Sequence, residues 1–159
     1  MEGSLMEDTK ILKQQFCAWQ DATRDARILA ERDQDYEDHH QWDAEDEATL
    51  AARGQPPVVV NRIKPKVNIL TGMQTLRRTM PRALPRTPLH EDSADACTEA
   101  LRFVVQNTNF EMKSSAAFRT SIISGYGGVI VETEEKGGET WACINEIPWD
   151  RYYYDPYSR

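Results

Sequence analysis

The chain has 159 residues, 40% hydrophobic and 28% charged, with a mean hydropathy of −0.67. This is the make-up of a globular protein. Its longest apolar runs, at 58–60 and 129–131, are far too short to cross a bilayer, and the acidic residues 1–8 lack the apolar stretch of a secretory signal. The net charge of −7 hides a segregation: 5 basic and 14 acidic side chains in residues 1–50, 8 basic and no acidic in 51–90, 6 basic and 12 acidic in 91–159.

Residues 5–33 read as one long helix. Leu5, Thr9, Leu12, Phe16, Trp19, Thr23, Ala26 and Ala30 alternate by four and three, a single stripe that predicts packing on the chain's own domain. A charge-dense stretch follows, with a short second helix expected from Asp43 to Ala52. Asp43 is its N-cap, and Glu45, Asp46 and Glu47 lie in its first turn, at the positive end of the helix dipole. Gly54 and Pro56-Pro57 end it.

Asn61 is a good N-cap for a third helix carrying Ile63, Val67, Leu70 and Gln74, with Pro65 tolerated in the first turn. Pro81, Pro85 and Pro88 forbid regular helix, so residues 81–89 should be extended, as an edge strand or a crossing segment. Asp92 or Ser93 then caps a helix to about Asn107, whose buried face is Cys97, Ala100, Leu101, Val104 and Val105. The helix at 111–124 is rich in small residues (Ser114, Ser115, Ala116, Ala117, Ser121), which let another backbone approach closely; Gly125 and Gly127-Gly128 terminate it. Strands are expected at 129–133 and 140–147, joined by a turn at 134–139. The tail holds Trp149, Tyr152, Tyr153, Tyr154 and Tyr157, too much aromatic surface to leave in water, and implies a fold that continues past this chain.

The fold class is therefore α+β, mostly helical with a C-terminal antiparallel hairpin. Three segments are distinguished: an acidic helical one (1–54), a helix plus basic Arg/Pro-rich stretch (55–90), and a helix pair, hairpin and aromatic tail (91–159). Together they make one incomplete domain. Cys17, Cys97 and Cys143 are odd in number and far apart, which fits free buried thiols in a reducing compartment.

Candidate sites are few. Asp38-His39-His40 with Asp35 and Asp43 offers metal-ligand types, the constellation of a metal-dependent hydrolase, but adjacent residues seldom converge on one ion and a solvated acidic loop is favoured. Gly125-Tyr126-Gly127-Gly128 has a helix before it and a strand after it, the reverse of a phosphate cradle, and reads as a tight turn. Arg77, Arg78, Arg82 and Arg86 form a basic run suited to phosphates or to neighbouring subunits. With no aromatic residue between Arg77 and Arg86 and an acidic chain overall, pairing with acidic surfaces is favoured over a small nucleic-acid-binding or regulatory module. No nucleophile elbow, P-loop, HExxH or CxxC motif occurs, and no cofactor is expected.

The order of these pieces resembles the N-terminal part of the P22-like phage portal proteins. Tyr36 and Gln41-Trp42 match a Tyr…Gly-x-Gln-Trp segment, with His39 standing at the Gly position. Asn61-Arg62-Ile63 leading to Gly72, the Arg/Pro-rich 78–88, the helix pair entering Gly125–Gly128, and Pro148 with Asp155-Pro156 follow in register over about 32–159. The resemblance implies a non-enzymatic structural subunit of a phage or prophage. It would form a dodecameric ring at one vertex of the virion capsid, assembled in the bacterial cytoplasm and away from membranes. Implied partners are further copies of itself, the terminase large subunit, head-tail adaptors, capsid proteins, and double-stranded DNA passing through the channel. Portal chains are much longer, so the segment corresponds to part of a wing-type domain, and no DNA-contacting residue is carried over.

Overall fold

The computed structural model describes residues 2–155, with side chains from residue 9 onward. Its elements are α1 (Glu2–Ala22), α2 (Arg24–Glu37), α3 (Ala44–Ala52), α4 (Ile63–Leu76), α5 (Glu91–Asn107), α6 (Phe110–Ser124), β1 (Gly128–Lys136) and β2 (Glu139–Ile147). The α+β class with a closing hairpin is as expected. Pro156, Tyr157 and the side chain of Leu5, all used in the sequence reading, lie outside what is described.

The expected single helix at 5–33 is two helices that meet at Thr23. The Thr23 hydroxyl and backbone N–H both donate to the Trp19 carbonyl, at 2.7 and 3.0 Å, and Thr23 leaves helical geometry at φ −101°, ψ 5°. Such back-bonding by Thr competes with the helix ladder and bends it. The stripe is buried only beyond the bend, at Thr23 and Ala30, while residues 9–18 are exposed throughout. Packing of the N-terminal half on its own domain is thus corrected: among the described residues, its marked contact is Phe16 against Tyr153.

α3 and α4 start where expected. Asn61 caps α4 through its side chain, its Oδ1 accepting from the N–H groups of Ile63 (2.9 Å) and Lys64 (3.1 Å). Its Nδ2 donates to the carbonyls of Tyr36 (3.0 Å) and Glu37 (2.8 Å), so one residue caps α4 and ties it to the end of α2.

The segment after α4 crosses without pairing in a sheet; the only sheet among the described residues is the β1–β2 pair. The Ala83 N–H is held by the Thr98 hydroxyl at 3.1 Å. α5 begins earlier than expected, after a single 3₁₀ turn at Pro88–His90, which places Asp92 and Ser93 inside its first turn. Its buried residues are Ala94, Thr98 and Val105, whereas Cys97, Ala100 and Leu101 are exposed. The face is rotated because Thr98 buries a satisfied hydroxyl, donating to the Ala94 carbonyl (2.8 Å) while accepting from Ala83. Cys17 is also exposed and Cys143 is only half-buried, so the expectation of buried thiols fails.

α6 is the centre. It packs against α2, α4, α5 and both strands, an arrangement that its small side chains permit. Gly125 ends it at φ +82°, and Gly127 lies so close to α6 that a Cβ there would strike the Ala117 carbonyl and Ser121. The strands pair from Gly128↔Ile147 to Lys136↔Glu139 around the two-residue turn Gly137-Gly138, shorter than the expected turn at 134–139. Both glycines have positive φ, +64° and +85°, as a type I′ turn requires. The tail folds back rather than standing free. Tyr152 stacks on Tyr126 with centroids 5.6 Å apart, and Tyr153 meets Phe16 edge-on at 4.7 Å beneath the Arg27 guanidinium.

Candidate functional site

Of the four arginines singled out, Arg78 is structural. Its Nη1 pairs with Glu111 Oε2 at 3.1 Å, and its Nη2 donates to the Ser115 hydroxyl, which donates onward to Gln74 Oε1 at 2.7 Å. This chain locks the end of α4 to the start of α6. Arg77, Arg82 and Arg86 are exposed and make no ion pair among the described residues. Arg77 and Arg78 line a groove of about 300 Å³ with Met80, Val105 and Phe110.

The acidic loop is split up by its own contacts. Asp38 pairs with Lys64 at 3.7 Å, and His39 Nδ1 lies 3.3 Å from Asn61 Nδ2. Among the described residues no group of three or more His, Cys, Asp or Glu side chains converges to hold a metal. His39 has φ +77°, the left-handed geometry that glycine adopts without cost.

The strongest electrostatic feature was not visible in the sequence. Glu37, only 3% exposed, receives a hydrogen bond from Arg119 Nη2 on α6 and has Lys64 Nζ of α4 at 3.9 Å. Arg119 Nη1 also donates to Asn68 Oδ1 at 2.9 Å, and Gln34 Nε2 to the Ser124 hydroxyl at 3.0 Å. Three helices therefore meet on one buried carboxylate. Nothing local marks it: Glu37 sits in a run of exposed acids, and its partner is 82 residues away. On the other side of α6, Lys113 donates to the Ile144 carbonyl, and Thr120 to Glu146 Oε1 at 3.0 Å, fixing β2. In the tail cluster the Tyr126 hydroxyl is buried with no hydrogen-bond partner among the described residues; desolvation raises its pKa, opposed by Arg27.

The surface is the other notable feature. The chain exposes 12641 Å². A compact monomer of its 18.2 kDa mass exposes about 8,100 Å². Among the described residues the buried apolar side chains are Ala30, Val67, Ala94, Val105 and Ile144, and no large side chain is fully buried. Exposed apolar residues concentrate on α1, at Val58 and Val60, and from Ile69 to Leu89. The tail, where the excess was expected, is partly covered, although Tyr154 stays exposed.

Residues 13–159 match the family described as Phage P22-like portal protein. The chain belongs to that family. Portal proteins of this family are structural subunits rather than enzymes. No curated protein matches this portal chain significantly. No helix among the described residues is long and apolar enough to cross a membrane.

Proposed function

We propose that this chain is a structural part of a portal ring, a sector of the wing that surrounds the channel through which DNA enters and leaves a tailed-phage capsid. Family membership supports the reading. The observation that carries it is the excess surface: 12641 Å² exposed against about 8,100 Å² for a compact monomer of this mass. That excess includes many exposed apolar side chains, among them Leu76, Leu84 and Leu89, the kind of surface that is covered in an assembly, by further copies in a ring or by other parts of the same subunit. In this reading the ring is dodecameric and sits at one capsid vertex. It is engaged by the terminase large subunit during packaging and later by head-tail adaptors, and the surrounding capsid proteins contact its outer rim.

The test is the assembly state of the purified chain by light scattering after size exclusion, with negative-stain electron microscopy of the largest species. Expected are concentration-dependent oligomers with ring or arc outlines. A chain that remains a sharp monomer at every concentration would refute the reading.

A further inference from the structure

We infer that the basic arm at 77–90 of one copy docks on the acidic helix α3 of a second copy, in a head-to-tail contact. The inference deepens the ring reading and rests on it.

The arm is unsatisfied in two ways. Arg77, Arg82 and Arg86 are exposed and unpaired among the described residues. Between and beside them stand Met80, Leu84 and Leu89, the two leucines 78% and 89% exposed. α3 has the opposite character. Among the described residues it makes no substantial packing contact with any other element. Asp43, Glu45, Asp46 and Glu47 are exposed and make no ion pair among the described residues. Beside it lie Trp42, Val58 and Val60, all exposed, with Trp42 Nε1 donating to the Val58 carbonyl at 3.3 Å. Each surface thus presents apolar side chains flanked by charge of one sign, the make-up of an interface core with its rim.

The signs are complementary: residues 51–90 hold 8 basic and no acidic side chains, while residues 1–50 hold 14 acidic against 5 basic. Within one chain no ion pair joins residues 43–47 to residues 77–86 among those described. The two patches are different surfaces of the same molecule, so a contact between copies is heterologous and can propagate from copy to copy, closing into a ring where the rotation divides a full turn. A nucleic-acid backbone is the poorer occupant. Phosphates would neutralise the arginines but leave Leu84 and Leu89 in water, and no aromatic residue stands between Arg77 and Arg86 to stack on a base.

The test uses two surface variants of the full chain, R82E/R86E on the arm and D46K/E47K on α3, compared with wild type by sedimentation velocity at low and high salt. Each variant alone should weaken self-association tenfold or more. The equimolar mixture should associate like wild type, because each reversed patch then finds its complement; wild-type association should fall as salt rises. If wild type associates and both variants do so equally well, the contact is wrong while the ring reading stands. If R82E/R86E instead abolishes binding of a short DNA duplex and leaves self-association intact, the arm is a phosphate surface and the proposal fails. A wild-type chain that never associates removes both the contact and the ring.

Discussion

Removing Arg119 should cost far more than removing the charge it neutralises. Glu37 is almost completely buried, and its carboxylate is held by Arg119 and, at 3.9 Å, by Lys64. Truncation by Arg119→Ala leaves a buried charge short of its main partner, a change that costs about 3–5 kcal/mol when nothing compensates. Lys64 compensates in part, because it can close on the freed oxygen from its half-exposed position, which brings the expected loss to about 2–3 kcal/mol. Glu37→Gln is gentler. The amide oxygen still accepts from Arg119, and Arg119 retains Asn68 at 2.9 Å, so the loss should be about 1 kcal/mol. The double variant should cost clearly less than the sum of the two, since neither group is then left charged and unpaired. Urea unfolding followed by far-ultraviolet circular dichroism, at one fixed protein concentration, measures all four corners of the cycle. Equal losses for the two single variants, or strict additivity in the double, would show that the carboxylate is not held as the geometry implies.

Tyr126→Phe removes a buried hydroxyl that has no hydrogen-bond partner among the described residues, so stability at neutral pH should be unchanged or rise by up to about 1 kcal/mol. Desolvation raises the phenol's pKa in the folded state; the stabilisation this represents is present below the unfolded value near 10 and lost as pH climbs through the folded value. Thermal unfolding against pH should therefore show a shallower alkaline decline for Tyr126→Phe, and equal declines would contradict the assignment. Gly127→Ala forces a Cβ into the Ala117 carbonyl and should lower the melting temperature by the equivalent of about 2 kcal/mol or more. Gly125→Ala meets no atom and should cost only the roughly 1–2 kcal/mol of its positive φ. At position 39, φ is +77°, so His39→Gly should be neutral or stabilising by up to about 1 kcal/mol, while His39→Val, β-branched at positive φ, should cost more than about 1 kcal/mol in the same melt.

Features governed by neighbours in sequence were legible in the chain. The helix-to-strand reversal at Gly125–Gly128 follows from helix composition on one side and β-branched residues on the other, and the structure has it. Asn61 was readable as a cap, and its second role explains why the spaced signals around Tyr36 and Asn61 occur together: its amide bonds the Tyr36 and Glu37 carbonyls across the gap. His39 takes positive φ, a geometry that glycine adopts more easily and that the identity of the residue does not signal. What failed depends on partners far along the chain. Thr98 is polar and stands outside the expected apolar face, yet it is buried, with its hydroxyl accepting from the Ala83 N–H. Leu12 and Phe16 look like core residues by spacing alone, but spacing does not say whether a surface lies opposite, and for residues 9–18 little of the described chain does. The Glu37–Arg119 pair spans 82 residues, and periodicity does not register an ion pair at that separation.

The same contrast bears on how such a chain could serve in a ring. Its apolar core is small, and the joints between helices are directional: Arg78 to Glu111, Asn61 to the end of α2, Arg119 to Glu37 and Asn68, Lys113 to β2. Apolar contacts tolerate sliding, whereas charge-assisted hydrogen bonds fix angle as well as distance. A heterologous contact closes into a ring only if the rotation from one copy to the next divides a full turn, and a small angular error gives an open helix instead. Polar struts tie α6 to α2, to β2 and to the root of the arm at Arg78, so in the proposed contact the arm would leave the helical body at a set angle while the exposed apolar side chains supply affinity. Loosening one strut should therefore disturb the curvature of the assembly before it disturbs the ability to assemble. Arg78→Ala is the sharpest case, because it frees the root of the arm without touching Arg82 or Arg86. Electron microscopy of that variant should show oligomers of mixed curvature at near wild-type association strength. Uniform wild-type outlines would mean that the angle is set elsewhere.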